Sequence, residues 1–219
     1  MKKSLFLLAL LVPAAAMAEG DVALTGKVGT LGFGLDLNLQ LTDSAVLRFG
    51  GSGYDWSGDT TDDGIRYDAT FRTSTASVIG DFFPIQDSTF RLSLGLFYNG
   101  NKLDMNAKPD GTSGTYEIGD HTYTATEVGE LKGTLTFNKT APYIGVGWGN
   151  AFAKPNGWGF MLDIGALYQG QPKLKLESSL CNSVPGCPAD LAIEQDNAEK
   201  DLRKYRWYPV VSAGAVYRF

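Results

Sequence analysis

Seven charged side chains stand inside segments that otherwise alternate apolar with small or polar residues. If these segments enclose one narrow interior, its four positive and three negative groups should form ion pairs, because an unpaired buried charge costs several kcal/mol. The same groups could also line a selective path for a small charged solute. We therefore predict a buried charge network, either as packing or as a channel wall, made of Lys27, Asp36, Arg48, Asp81, Arg91, Asp163 and Arg218.

Cysteine and histidine are sparse in this chain. Cys181 and Cys187 are the only cysteines, and they lie close together across Pro185-Gly186. In an exported chain this arrangement predicts a disulfide, and a metal site is not expected because no histidine is nearby. His121, the only histidine, follows a hairpin signal at Gly119-Asp120. A lone loop histidine is most often solvated, although an imidazole can serve as an acid–base group.

The sequence shows no arrangement typical of an enzyme. Nucleophilic catalysis needs a nucleophile and a base brought together, and no serine or carboxylate accompanies His121 at a recognisable spacing. Gly32-x-Gly34 lies within an alternating segment and opens no helix, so a nucleotide site is not supported. We expect no catalytic, cofactor-binding or metal-binding residues.

The first residues predict export followed by cleavage. Lys2 and Lys3 precede an apolar run over 5–12, and Ala16-Met17-Ala18 has the form of a signal-peptidase site. We predict a cleaved signal peptide over 1–18 and a single domain over 19–219. Without Lys2 and Lys3, the 19 basic residues become 17 against 24 acidic ones, a net charge of −7. Nucleic acid is therefore not an expected partner.

Alternation with a period of two residues recurs along the rest of the chain and predicts β-strands. A helix is not indicated, because charged residues recur at every second position rather than on one helical face. The most regular segment covers 31–41. Other alternating segments cover 90–96, 144–149, 159–166 and 207–219, with less regular ones over 45–56 and 65–83.

Connection lengths predict the topology. Short turns are expected at 42–44, 85–89 and 153–157, and longer polar connections at 57–64, 108–133 and 178–206. Counting back from Phe219 gives seven strands by Leu31. A change of phase at Gly29-Thr30 predicts a tight turn and one more crossing over Val22–Val28. The result is an all-β fold, an eight-stranded antiparallel up-and-down transmembrane β-barrel with short periplasmic turns and longer extracellular loops.

The chain resembles small bacterial outer-membrane β-barrel proteins of the OmpA/OmpW-like kind. The signal peptide, the asymmetry of the connections and the terminal Tyr217-Arg218-Phe219 carry this resemblance. It implies the outer membrane of a Gram-negative bacterium, with membrane lipid and lipopolysaccharide as partners. Tyr217 and Phe219 resemble the signal that the outer-membrane assembly machinery recognises. One fold hosts many functions, so the resemblance alone does not assign one.

Two non-enzymatic functions are the expected ones: a structural role in the envelope, or a narrow porin-like channel for small solutes. The alternatives are a lipid A-modifying outer-membrane enzyme and a surface adhesin that uses the connections 108–133 and 178–206. The second connection also predicts a short amphipathic helix over 188–205, with Pro188 near its start, that covers the outer mouth.

Overall fold

The computed structural model describes residues 21–62, 64–86, 88–109 and 114–219, so the predicted signal peptide over 1–18 lies outside the described residues. Helix α1 covers Ala125–Val128 and helix α2 covers Cys187–Leu202. The strands are β1 (Val22–Gly29), β2 (Gly32–Thr42), β3 (Ala45–Asp62), β4 (Ile65–Phe82), β5 (Phe90–Asn99), β6 (Lys102–Pro109), β7 (Thr115–Ile118), β8 (His121–Thr124), β9 (Leu131–Thr136), β10 (Thr140–Trp148), β11 (Gly157–Tyr168), β12 (Lys173–Ser178) and β13 (Trp207–Arg218).

Eight strands close into a ring of antiparallel neighbours in the order β1, β2, β3, β4, β5, β10, β11 and β13. The last strand pairs with the first, in a register that runs from Ala23 opposite Arg218 to Gly29 opposite Ser212. The predicted all-β class, the antiparallel pairing and the additional strand before Leu31 are thereby confirmed. In the part of the chain that the structure describes, no helix is long and apolar enough to span a membrane.

The turn between β1 and β2 lies one residue later than predicted. It is formed by Thr30 and Leu31, and Gly32 follows with a φ of +90°, a conformation that favours glycine. The alternation over 31–41 predicts that Leu31 shares the outward apolar face with Phe33, but the side chain of Leu31 is buried inside the ring. The reason is that Leu31 belongs to the reversal, where strand alternation no longer fixes the direction of a side chain.

The two faces of the ring have opposite polarity. On the outer face, large apolar side chains are exposed, such as Leu35 at 62% and Phe160 at 64%. On the inner face, Asp36 and Arg48 are almost completely buried. The alternation read from the sequence therefore places apolar groups outward and charged groups inward, which is the reverse of a water-soluble protein.

The sheet of the ring extends beyond one end of it. We call this extension the outer sheet; it consists of the distal halves of β3 and β4 followed by β6, β9 and β12. The predicted loop over 57–64 is wrong, because β3 and β4 stay paired as far as Asp62 and Ile65. One row of this sheet is apolar and the next row is polar or charged. The apolar row is Trp56, Phe71, Leu103, Leu135 and Leu174, and the polar row is Asp55, Arg72, Lys102, Thr136 and Lys173.

The two ends of the ring differ in their connections. We call the end with the connections 43–44, 83–89 and 149–156 the turn end, and the end that carries the outer sheet the sheet end. The last two turn-end connections are longer than the predicted turns at 85–89 and 153–157. At the sheet end, the predicted hairpin at Gly119-Asp120 is present as β7 and β8.

Helix α2 covers the free edge of the outer sheet. The backbone N–H of Leu174 donates to Glu199 at 2.9 Å, and that of Leu176 donates to Gln195 at 3.0 Å. Four helical residues rise about 6 Å and two strand residues about 6.6 Å, so the two spacings match. The predicted helix over 188–205 is present, but it lies along β12, where it satisfies edge donors that would otherwise invite another strand.

Candidate functional site

Six of the predicted charged residues converge at one level inside the ring. We call them the charge layer. Each comes from a different strand, because each stands at an inward position of the two-residue alternation. They are Lys27 on β1, Asp36 on β2, Arg48 on β3, Asp81 on β4, Arg91 on β5 and Asp163 on β11.

Arg48 is the centre of the charge layer, and its side chain is only 2% exposed. Its Nε lies 2.6 Å from Asp81 Oδ2, and its Nη2 lies 3.0 Å from Asp163 Oδ1. Its Nη1 lies 3.7 Å from Asp36 Oδ2. One guanidinium therefore contacts all three buried carboxylates. A planar, permanently charged group with five donors suits this role better than an ammonium does.

The other two cations complete the balance of charge. Arg91 Nη2 lies 2.7 Å from Asp163 Oδ1, and Arg91 Nε lies 3.5 Å from Asp81 Oδ1. Lys27 Nζ lies 2.7 Å from Asp36 Oδ1. Three cations thus face three carboxylates, and the charge layer is neutral as a whole. Neutrality matters because each uncompensated charge at this depth would cost several kcal/mol.

Uncharged groups also hold the layer in place. The Ser93 hydroxyl donates to Asp81 Oδ1 at 2.6 Å, and Arg91 Nη1 donates to the carbonyl of Gly149. Asn38, which the sequence did not single out, is fully buried one inward position beyond Asp36. Its amide donates to Thr25 Oγ1 at 2.8 Å and to the Ala23 carbonyl at 3.1 Å. The buried polar groups therefore extend beyond the ionised ones.

Two glycines make room for the charged side chains. A Cβ atom on Gly50 would overlap Asp36 Oδ1, and one on Gly147 would lie 2.8 Å from Arg91 Cζ. Both glycines occupy inward positions on strands next to the charged residue in question. A charged side chain can lie flat against the wall only where the neighbouring strand has no side chain of its own.

The charge layer lies between two apolar layers. The turn-side layer includes Phe83, Ala151 and Phe152, which come from the longer turn-end connections and fold inward. Its members are Ala23, Val46, Phe83, Ala151, Phe152, Met161 and Val216. The sheet-side layer consists of Leu31, Ile79, Phe97, Ala141, Tyr143, Leu167 and Val210. The charged level therefore has an apolar layer on each side along the ring.

A small cavity lies beside Arg48 inside the ring. It lies between the charge layer and the sheet-side layer, with about 20 Å³ for the centre of a water molecule, and is lined by Lys27, Arg48 and Asp163 among others. A water molecule needs roughly 10–15 Å³ by this measure. The cavity therefore has room for about one water molecule.

Arg218 lies apart from the charge layer. It stands at an inward position, as predicted, but near the end of β13, opposite Gly157. Its Nη1 donates to the carbonyls of Phe152 at 3.1 Å and Lys154 at 2.8 Å. Its guanidinium also lies 5.1 Å from the centre of the Phe152 ring. Arg218 thus holds a turn-end connection over the opening of the ring.

The predicted assembly-signal residues lie at the turn end on the outer face. The rings of Tyr217 and Phe219 are 5.3 Å apart, and the ring of Tyr217 is 5.2 Å from that of Trp158. Phe219 is 63% exposed, and its backbone N–H donates to the Val22 carbonyl at 3.4 Å. The terminal aromatic group is therefore held against the first strand and remains accessible.

A separate polar cluster joins the β7–β8 hairpin to α2. His121 Nδ1 lies 2.9 Å from Asp190 Oδ2, and the Tyr123 hydroxyl donates to the same carboxylate oxygen. This hydrogen bond is the main reason that the pKa of Tyr123 is raised to about 12. The sequence did not connect His121 with Asp190, because the two residues are far apart along the chain. Within the described residues, no group of three or more His, Cys, Asp or Glu side chains is placed to hold a metal ion.

The predicted disulfide between Cys181 and Cys187 is confirmed, with Cα atoms 5.4 Å apart. Both cysteines are buried in an apolar cluster under the hairpin. The bridge joins the segment after β12 to the first residue of α2. It therefore fixes where the helix begins relative to the outer sheet.

Comparison with known proteins gives a match in structure only. No protein-family model matches the chain, and no curated protein matches it. The chain is similar to CarO2 of Acinetobacter baumannii, with a TM-score of 0.60 and 27% identity over 93% of this chain and 100% of that chain. It is also similar to CarO of the same organism, with a TM-score of 0.58 and 24% identity over 91% and 98% of the two chains. The likeness therefore extends over most of the ring and the outer sheet.

The balance of charge predicts how substitutions of Arg48 and Asp81 combine in their effect on the free energy of unfolding. Arg48→Met leaves three buried carboxylates with two cations and should lower the free energy of unfolding by about 3–5 kcal/mol. Adding Asp81→Asn leaves two complete pairs, Lys27 with Asp36 and Arg91 with Asp163, each at 2.7 Å. The double variant should therefore recover most of the loss, measured as the urea midpoint of protein refolded in detergent micelles. A double variant less stable than Arg48→Met would contradict a charge-balanced layer.

Adjacent glycines on β3 offer a matched test of the packing. Gly50→Ala forces Asp36 away from Lys27 and should cost about 1–3 kcal/mol, as overpacking usually does. Gly51→Ala adds the same methyl group at the next residue, where the nearest atom, the Thr75 carbonyl oxygen, is 3.5 Å away. That change should stay within about 0.5 kcal/mol. Equal urea midpoints for the two variants would show that Asp36 is not packed against Gly50.

Proposed function

We propose that this chain is an outer-membrane β-barrel protein of a Gram-negative bacterium, and that it anchors the outer sheet at the cell surface with a closed interior. The observation that carries the proposal is the reversed polarity of the ring, with a neutral charge layer inside and large apolar side chains exposed outside. A closed ring leaves no unpaired strand edge, which a lipid environment requires. We propose no enzymatic role and no cofactor.

The dimensions of the ring suit a bilayer. A tilted transmembrane strand needs about 9–11 residues. Strands β2, β5 and β11 have 11, 10 and 12 residues. The apolar band on their outer faces can therefore match the hydrocarbon thickness without help from the outer sheet.

Aromatic pairs stand at both ends of the apolar band. At the turn end, Trp158 packs on Tyr217 at 5.2 Å and Phe90 packs on Trp148 at 5.8 Å. At the sheet end, Tyr168 packs on Trp207 at 4.9 Å and Phe33 packs on Tyr54 at 6.0 Å. Girdles of aromatic residues at both interfaces are typical of outer-membrane barrels. The girdles support a placement in which the bilayer lies between them.

The connections support an orientation. Bacterial barrels have short periplasmic turns and longer extracellular loops. We therefore assign the turn end to the periplasm and the sheet end, with α2 and the disulfide, to the cell exterior. In this orientation Tyr217 and Phe219 lie on the periplasmic side, where the assembly machinery would meet them. The likeness to CarO2 and CarO is consistent with this location.

The filled interior favours an anchoring role over an open pore. An eight-stranded ring is just wide enough for side chains to fill. Here the charge layer and the two apolar layers fill it, and the cavity beside Arg48 holds about one water. A narrow channel is the second candidate function, because the lining of this cavity contains charges of both signs. A solute could pass only if the sheet-side and turn-side layers moved aside.

Surface labelling of intact cells tests the orientation. Lys132 and Lys175 lie on the polar face of the outer sheet, and Lys154 lies exposed in a turn-end connection. A membrane-impermeant amine reagent should modify Lys132 and Lys175 in intact cells, and Lys154 only after the outer membrane is permeabilised. Mass spectrometry of the digested protein reports each site. Modification of Lys154 in intact cells to the same extent would reverse or remove the proposed orientation.

Electrical recording separates the anchor from the channel. The refolded full chain in a planar bilayer should show no steady ionic current at either polarity and at several salt concentrations, because the layers leave no continuous aqueous path. Bilayers that receive detergent alone provide the baseline. Reproducible single-channel steps above that baseline would favour the second candidate and show that the layers open.

A further inference from the structure

Five basic side chains differ from the others in their surroundings. Among the described residues, the cations of the charge layer and every cation of the outer sheet except Lys173 have carboxylate partners, as Lys132 has Glu130 at 3.4 Å and Lys175 has Glu177 at 2.6 Å. Lys154, at the turn end, has none. The five others without a carboxylate oxygen within 4.0 Å all lie at the sheet end. We call them the basic rim: Lys139, Lys173, Arg203, Lys204 and Arg206.

Lys139, Arg203 and Arg206 of the basic rim are linked by backbone contacts around the end of β11. The backbone N–H of Asn138 donates to the Gln169 carbonyl at 3.0 Å, and that of Gln169 donates to the Arg206 carbonyl at 2.9 Å. Lys139 and Arg206 therefore lie on either side of the end of β11, with backbones roughly 10 Å apart at the usual strand spacing. Arg206 Nε donates to the Arg203 carbonyl at 3.0 Å, which holds the two guanidinium-bearing residues together.

Aromatic rings lie directly beside the basic rim. Lys139 Nζ is 5.8 Å from the centre of the Tyr98 ring, and Lys204 Nζ is 5.3 Å from that of Tyr205. Trp207, next to Arg206, is 56% exposed and packs on Tyr168. Trp and Tyr rings favour the level of the lipid headgroups. In the proposed membrane placement, the cations beside these rings stand at the level of the headgroup phosphates.

The positive charge is confined to one side of the ring. On the β3–β4 side, Arg72 lies 3.8 Å from Asp55 and 3.4 Å from Asp104, and Arg66 likewise pairs with two aspartates. The basic side chains on the β3–β4 side are therefore already neutralised by aspartates. At the sheet end of β10, β11 and β13, the basic side chains have no carboxylate oxygen within 4.0 Å among the described residues. The asymmetry argues for a localised site rather than a uniform ring of lipid contacts.

The carboxylates near the basic rim are largely engaged elsewhere. Glu199 accepts the Leu174 N–H at 2.9 Å. The pKa of Asp196 is held below its usual range chiefly by the hydrogen bond from Lys200, and the charge of Arg203 adds only a little. Asp201 is the remaining neighbour in sequence and makes no ion pair within 4.0 Å. The local charge therefore stays positive.

We propose that the basic rim binds the phosphate groups of a phosphorylated glycolipid in the outer leaflet. The proposal rests on the proposed function, because only a ring inserted in the outer membrane brings these residues to the phosphate level. Guanidinium groups bind phosphate oxygens in bidentate fashion, and ammonium groups add point charges. The occupant follows from charge complementarity and from the aromatic rings that fix the depth.

Binding of lipid A by the purified full chain tests the proposal. Native mass spectrometry of the protein in nanodiscs of neutral lipid can compare bis-phosphorylated lipid A with its dephosphorylated form. The double variant Lys139→Gln and Arg206→Gln should bind phosphorylated lipid A about 25-fold more weakly, roughly fivefold for each charge removed. The matched control, Lys132→Gln and Lys175→Gln, removes two cations that already have carboxylate partners and should change binding less than about twofold.

Three results would overturn the proposal. They are equal binding of dephosphorylated lipid A, an equal loss in the control variant, and displacement of the lipid by millimolar inorganic phosphate, which would indicate a simple anion site. Surface labelling separates this failure from that of the proposed function. Lys132 and Lys175 could be labelled in intact cells, and Lys154 not, while phosphorylated and dephosphorylated lipid A bind equally well. In that case the proposed orientation stands and only the proposed lipid site is wrong.

Discussion

The balance of charge around Arg48 is the constraint on which the rest of the ring depends. One guanidinium contacts Asp36, Asp81 and Asp163, each from a different strand, so it joins strands that are not neighbours in the ring. Such a group is tolerated inside only because Lys27 and Arg91 complete the neutralisation. Replacing buried ion pairs by apolar groups is often neutral or stabilising, so the layer is better understood as specifying register and closure than as a source of stability.

The same two-residue alternation has different consequences in the ring and in the outer sheet. Within the ring it directs charged groups inward and large apolar groups outward. In the outer sheet it continues without a change of register between β3 and β4, but the row that contains Trp56 and Phe71 is apolar while the next row carries charges. The outer sheet therefore needs cover on one face and one edge. The β7–β8 hairpin, the disulfide and α2 supply that cover, which is why they belong to one structural unit at the sheet end of the ring.

Much of the ring could be predicted from the sequence, because alternation and charge fix which face each residue takes. Inward positions were therefore identified for all the members of the charge layer. Other features depend on information that alternation lacks. Leu31 turns inward because the reversal comes one residue later. The part of β3 beyond Trp56 was read as a loop because polar alternation resembles one, whereas the segment over 65–83 was identified as a strand. The contact between His121 and Asp190 joins segments far apart in the chain, and Arg218 has the predicted direction but lies several residues below the layer.

The most direct test of the sealed charge layer is hydrogen exchange at the arginine side chains. In nuclear magnetic resonance spectra of the protein in micelles, the Nε–H protons of Arg48 and Arg91, which are 2% and 0% exposed, should exchange with water far more slowly than those of Arg66 and Arg72, which are 55% and 45% exposed. Slow exchange of the first pair and fast exchange of the second is the predicted result. Equally fast exchange of all four would show that water reaches the layer and would contradict the account.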